Sequence, residues 1–176
     1  IQIMLEAVGI EKAILNTVHG YTGTQKLVDS PDTKDWRRGR AAAVNIVPST
    51  TGAAIALTKA MPDLLGKFDG IAMRVPVLTG SIADITFIAK RSTTVDEVND
   101  ILKKAAGEER WKEIFTTTDE QIVSSDIVGT PYAAIADLSF TKVVGGNLVK
   151  VLSWYDNEMG YTYTLVHHVF KSGSYL

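Results

Sequence analysis

Between Phe68 and Leu78 the side chains alternate, with Ile71, Met73, Val75 and Val77 on one face and Ala72, Arg74 and Pro76 on the other. A period of two predicts a strand. Ala83 to Ala89 repeats it, setting Ile85 and Phe87 against Asp84 and Thr86. Ile10 to Val18 reads as another strand, carried by Ile10, Ala13, Leu15 and Val18. Two more apolar runs, Ile135 to Val144 and Leu148 to Trp154, are separated by Gly145-Gly146-Asn147, which predicts a hairpin. Helical spacing occurs elsewhere. Val95, Val98, Ile101, Leu102 and Ala105 follow a capping-box pattern, Thr94 with Glu97, and Gly107 ends the segment. Ile1 to Val8 reads as the end of an amphipathic helix stopped by Gly9. A short helix is predicted from Thr51-Gly52 toward Ala60, before Pro62. A last helix from about Asn157 is expected to bury Leu165, Val166, Val169 and Phe170.

Strands cluster, and no regular alternation of strand and helix runs along the chain. The pattern predicts an α+β fold: a mixed, mostly antiparallel sheet with helices packed on one face. From His19 to about Val44 the periodicity dissolves. So long a connection in a small domain points to a functional or disordered loop.

Composition adds exclusions. A net charge of -2 argues against a nucleic-acid binder, and no apolar run reaches membrane-spanning length. No secretory leader is visible at the start. The chain holds no cysteine, so disulfides, thiolate metal sites and a thiol nucleophile are all excluded from it. It opens inside a helix, and is therefore expected to be a piece of a longer protein.

Few residues suggest chemistry one at a time. His19 ends a strand beside Gly20; such a histidine is often structural, but its titration range suits a general base. Arg37, Arg38 and Arg40 form a basic cluster whose plain reading is a solvated loop and whose functional reading is an anion site. Ser49-Thr50-Thr51-Gly52 before a helix reads as an ordinary cap, or as free N–H groups for an anion. Arg74 is harder to dismiss, because strands disfavour charge and a partner or ligand is expected. Together these residues suit a small phosphorylated ligand, without naming a reaction.

A resemblance goes further. Asn16-Thr17-Val18-His19-Gly20-Tyr21-Thr22, Asp35-Trp36-Arg37-Arg38-Gly39-Arg40-Ala41-Ala42, Asn45-Ile46-Val47-Pro48-Ser49-Thr50-Thr51-Gly52-Ala53-Ala54, Arg74-Val75-Pro76-Val77, Gly145-Gly146-Asn147-Leu148-Val149-Lys150-Val151 and Ser153-Trp154-Tyr155-Asp156-Asn157-Glu158 occur in this order. The ordered set resembles the C-terminal catalytic domain of phosphorylating glyceraldehyde-3-phosphate dehydrogenases. The resemblance implies one catalytic domain over residues 1–176, with a nucleotide-binding domain absent from this chain. It implies that His19 activates a cysteine thiol, and that Thr22, Arg38 and Arg74 hold substrate phosphate or attacking phosphate. Thr51 and Gly52 match the inorganic-phosphate subsite. Asn157, with Tyr161 nearby, matches the residue that orients the nicotinamide of NAD or NADP. Glyceraldehyde 3-phosphate, inorganic phosphate, a homotetramer and a cytoplasmic setting are implied as well.

The sequence departs from the pattern in places. The family's cysteine lies in a Ser-Cys-Thr-Thr-Asn motif upstream of Ile1, so the chain alone is expected to be inactive. Gly20 replaces a commoner serine, Met159 replaces a tryptophan, and the tail after Tyr161 strays most. Two alternatives stay open at this point. One is an erythrose-4-phosphate dehydrogenase; the other is a non-catalytic anion-binding or assembly module of the same fold.

Overall fold

The computed structural model describes residues 1–175. Seven strands form one mixed sheet in the order β2-β3-β1-β4-β7-β6-β5. They are β1 (Ile10–Gly20), β2 (Val47–Thr50), β3 (Phe68–Val75), β4 (Ser81–Ala89), β5 (Phe115–Thr118), β6 (Ala134–Val144) and β7 (Leu148–Tyr155). Pairs β1–β3 and β5–β6 are parallel, and the other four are antiparallel. The α-helices are α1 (Gln2–Ala7), α2 (Ala53–Ala60), α3 (Val95–Ala106) and α4 (Met159–Gly173). The predicted α+β class holds.

Local chemistry explains the elements. Thr94 Oγ1 accepts the Glu97 N–H at the start of α3. The Glu97 carboxylate, instead of reaching back to the cap, accepts from the Thr93 hydroxyl and pairs with Arg91 at 2.7 Å. In the β6–β7 hairpin Gly145 and Gly146 both adopt positive φ, which side chains resist. Strands β2 and β5 have only four residues each and escaped the sequence pattern. Pro48 is tolerated because β2 lies at the sheet edge, where a missing N–H need not break a ladder.

One core cluster joins three helices to one face of the sheet. Met4 and Val8, Ala54, and Val98, Leu102 and Ala105 pack with Leu15, Phe68, Phe87, Ala136, Val149 and Val151. A register shift between Ile10 and Lys12 brings Ile10 onto the same face as Leu15. On β3 this face carries Phe68, Gly70, Ala72 and Arg74, whereas the larger Ile71 points to the other side and is 46% exposed. The opposite sheet face also exposes Ile14 and Leu148, around a Lys150–Asp84 ion pair at 2.7 Å. Toward one end the β5–β6 connection crosses it, and Val123 lines a cavity there together with Val18, Val75 and Trp154.

The fourth helix corrects the sequence reading. Helix α4 forms, but Leu165, Val166, Val169 and Phe170 are exposed rather than buried. Helical spacing identifies an apolar stripe; it does not supply the surface that covers it. Only Gly160 of α4 is buried, and a Cβ there would come within 2.6 Å of the Tyr132 carbonyl oxygen. The helix is anchored at its start by Asp156, whose carboxylate accepts the Gly129, Glu158 and Met159 N–H groups at 2.7–3.0 Å. Farther along, His167 lies 3.2 Å from the Glu113 carboxylate.

Two expectations test this arrangement. Phe87→Ala should destabilise the chain by about 3–5 kcal/mol in chemical denaturation, and Ile71→Ala by much less; equal losses would mean that the sheet face has been misassigned. Asp156→Asn should cost roughly 1–3 kcal/mol at pH 7 through weakened charge-assisted hydrogen bonds. Burial alone would raise the Asp156 pKa, but the bonds from Gly129, Glu158, Met159 and Thr79 together hold it below the ordinary carboxylate value. A depressed folded pKa stabilises above the unfolded value of about 4 and loses that contribution as pH falls toward the folded pKa. The gap between wild type and variant should therefore narrow below about pH 4 in acid titrations followed by circular dichroism.

Candidate functional site

Strand register assembles one row of residues across the sheet. Val47 pairs with Arg74, Arg74 with His19, His19 with Ser81, and Ser81 with Tyr155. These residues come from five strands and lie far apart in sequence, from His19 to Tyr155. Because β1 and β3 are parallel, their C-terminal ends coincide, and the loops that follow open beside each other.

His19 is half-buried at the head of this row. Its Nδ1 lies 2.6 Å from the Gly20 carbonyl oxygen and 2.6 Å from an Arg74 Nη1. The same Arg74 nitrogen donates to the Gly20 oxygen at 3.2 Å. The Tyr155 ring stands edge-on to the imidazole at 6.0 Å, with its hydroxyl 2.8 Å from Thr17 Oγ1. Burial lowers the His19 pKa; the Gly20 hydrogen bond opposes this, and the Arg74 charge adds to it. The ring is therefore neutral at pH 7, the state that can accept a proton.

Arg74 is also half-buried, and its pKa is lowered by burial; Tyr155 opposes this, and the nearby Arg38 charge adds to it. It keeps its proton at any physiological pH. Among the described residues it makes no ion pair with a carboxylate. A cation facing a neutral base and a second cation lacks the counter-charge that burial ordinarily demands.

A cavity of about 350 Å³ opens beside His19 and is lined also by Ala133, Tyr155, Asp156, Asn157 and Tyr161. Asn157 Oδ1 accepts the Gly80 N–H at 3.0 Å, with the Ser81 and Thr79 hydroxyls at 3.4 and 3.5 Å. This fixes the amide so that Nδ2 remains as the free donor. A second, mostly apolar cavity of about 320 Å³ beneath α1 is lined by residues such as Ile3, Met4, Phe87 and Trp111, and shares Ala133 and Tyr155 with the first.

The other sequence candidates fall at different distances from this row. The Thr22 hydroxyl meets Thr24 at 3.1 Å, in the turn that follows β1. Arg38 lies in a 3-10 turn over Trp36–Gly39, 3.8 Å from Asp35 and within electrostatic reach of Arg74. The loop around it has its own ladder, in which Lys26 N–H donates to the Arg38 oxygen and Ser30 N–H to the Gly39 oxygen. Trp36 on the same loop is 86% exposed. Thr51 and Gly52 do not join the His19–Arg74 row directly. Register pairs Thr50 with Ile71, three residues before Arg74, and Thr51 and Gly52 follow just past the end of β2. The Thr51 hydroxyl accepts the Ala53 N–H at 3.2 Å, so part of its capacity is used at the start of α2.

Sequence reasoning gave no role to Tyr155, Thr17 or Asp156. Alternation along β7 puts Tyr155 on the face of Val149 and Val151, which was a usable signal. Gly20 gains a reason too: a Cβ there would lie 2.6 Å from the Val77 carbonyl oxygen, which accepts the Tyr21 N–H.

A family model described as glyceraldehyde 3-phosphate dehydrogenase, C-terminal domain, matches residues 1–157. Glyceraldehyde-3-phosphate dehydrogenase of Streptomyces coelicolor is 51% identical over 165 residues, covering 94% of this chain and 49% of the relative. The Clostridium pasteurianum protein of the same name is 46% identical over 169 residues, again covering 94% and 49%. Glyceraldehyde-3-phosphate dehydrogenase 3 of Saccharomyces cerevisiae is 44% identical over 174 residues, covering 97% of this chain and 52% of the relative. The chain thus spans about half the length of these curated relatives. It belongs to the glyceraldehyde 3-phosphate dehydrogenase C-terminal domain family.

Proposed function

We propose that residues 1–176 are the catalytic domain of a phosphorylating dehydrogenase that converts glyceraldehyde 3-phosphate, NAD and inorganic phosphate to 1,3-bisphosphoglycerate and NADH. The observation that carries this reading is the Arg74 guanidinium, without a carboxylate partner, held in register beside a neutral His19. A fixed cation and a proton acceptor at one sheet end suit a phosphorylated substrate that reacts through a proton transfer.

In this reading a segment outside the chain brings the thiol nucleophile and the nucleotide-binding domain. His19 takes the thiol proton, raising the fraction of thiolate that attacks the aldehyde carbon. Arg74, Arg38 and Thr22 hold phosphate oxygens, while Thr51 and Gly52 serve the attacking phosphate just past β2, at the start of α2. NAD or NADP, when bound, supplies the hydride acceptor. Asn157 fits its carboxamide end, because Oδ1 is already occupied and Nδ2 is left to donate into the cavity that Tyr161 borders. The apolar open face of the sheet suits contact with other copies, in line with a cytoplasmic homotetramer. Among the described residues, no helix is long and apolar enough to cross a membrane.

The chain alone should form no NADH, since it has no thiol. Fused behind the nucleotide-binding half of a relative, with that half's cysteine, it should give phosphate-dependent NADH formation. His19→Asn in the fusion should lower kcat by about 100-fold to 10,000-fold. Turnover by the chain alone, or a fusion indifferent to this change, would defeat the reading. A fusion that prefers erythrose 4-phosphate and ignores added phosphate would redirect it.

A further inference from the structure

The three atoms His19 Nδ1, Gly20 O and Arg74 Nη1 form a cluster that cannot satisfy all its contacts at once. Nδ1 is 2.6 Å from both of the others, and Nη1 to the Gly20 oxygen is 3.2 Å. A guanidinium only donates. Its contact with Nδ1 therefore requires a bare Nδ1, which puts the proton of the neutral ring on Nε2. Nδ1 and the Gly20 oxygen are then two acceptors facing each other, both served by one Arg74 nitrogen. In the other arrangement Nδ1–H donates to the Gly20 oxygen, and the Arg74 N–H then opposes a second donor. Each hydrogen bond excludes the other, so the ring has two states, and the position of Arg74 selects between them.

We propose that Arg74 is a positioning residue that latches His19 in its Nε2–H form, and that a phosphate oxyanion releases the latch by drawing the guanidinium away. Once released, Nδ1–H turns to the Gly20 oxygen and Nε2 becomes the free acceptor. Nε2 is the only ring nitrogen not engaged by this cluster, so it is the atom able to take a proton from an incoming group. Arrival of the anion thereby arms the base. The surroundings permit this. Arg74 has no carboxylate to hold it among the described residues, and Arg38 lies near enough to favour its movement toward an anion. The other groups facing His19 are the Tyr155 ring from β7, with Asp156 and Tyr161 across the shared cavity. Asp156 is already committed to backbone donors. The lowered His19 pKa, to which the Arg74 charge contributes, agrees with the latched state. By reciprocity, anion binding should raise the His19 pKa and should itself tighten as His19 becomes protonated.

The functional consequence rests on the dehydrogenase reading, but the test does not need turnover. Nitrogen-15 NMR of the chain reports which ring nitrogen of His19 carries the proton. Without anion, Nε2 should show the protonated-type resonance. Saturating inorganic phosphate should transfer that signature to Nδ1 and move the titration midpoint upward. Glycerol 3-phosphate, a phosphate monoester, should do the same if the substrate phosphate is the releasing group; a response to inorganic phosphate alone would assign release to the attacking phosphate. Arg74→Ala should show the Nδ1–H form with no anion present and no further response to phosphate. Arg74→Lys, which keeps a donor, should restore Nε2–H and guards against misfolding of the alanine variant. The proposal fails if wild type is already Nδ1–H without anion, or if its tautomer and midpoint match those of Arg74→Ala with and without phosphate. An active fusion enzyme with an unresponsive His19 would sink the latch and leave the dehydrogenase reading intact. A responsive His19 in an inactive fusion would do the reverse.

Discussion

The parallel pairing of β1 with β3 is the constraint on which the site depends. Residues 55 positions apart, His19 and Arg74, become neighbours only because two strands run the same way and end together. A one-residue slip would turn Arg74 to the opposite face and replace it with Met73 or Val75. The register is protected by what lies below it. Leu15 and Phe68 are buried in the common core, and Gly70 leaves room where a Cβ would lie 2.7 Å from the Leu15 carbonyl oxygen. The antiparallel pairs β1–β4 and β4–β7 then carry the row across to Tyr155. Core packing at one end of the strands thus fixes polar geometry at the other.

The sheet has two apolar faces, and only one is fully used. Helices α1, α2 and α3 cover the face with Leu15, Phe87 and Val149, while Ile14, Ile71 and Leu148 remain exposed on the other. Helix α4 adds a second uncovered stripe. Apolar surface of this extent is costly in water and is characteristic of surfaces that meet other protein. The Lys150–Asp84 pair in the open face limits unspecific association there, since any partner must accommodate an ion pair as well as aliphatic side chains.

How much of this was legible depended on whether the information was local. The hairpin glycines and the Thr94 cap act within a few residues, so α3 and the β6–β7 turn could be read directly. Strands β2 and β5 are too short to show a period, and β2 carries a proline, Pro48, that its edge position permits. The stripe on α4 was visible, but its burial was not, because periodicity says which residues share a face and nothing about what meets that face. At the site, Arg74 was singled out as a charge needing a partner or ligand. The partner is a histidine and not a carboxylate, and strand pairing alone decides that. Thr51 and Gly52 were grouped with Arg74 by chemical type and by resemblance; they follow β2, the strand next to the one that carries Arg74.

The identity of the residue at position 74 follows from the same physics. A lysine ammonium could still donate to Nδ1, but half-buried beside a second cation it would hold its charge less firmly than a guanidinium, since burial and like charge both disfavour the charged form. A neutral amine would neither attract an oxyanion nor distinguish an occupied site from an empty one. Guanidinium keeps its charge under the same pressure. Its planar fork also lets one nitrogen serve both Nδ1 of His19 and the Gly20 oxygen. Permanence of charge makes the anion the stronger partner whenever it is present, and the histidine the fallback when it is absent. A site built this way responds to phosphate through a competition between hydrogen bonds, without any movement of the sheet that carries it.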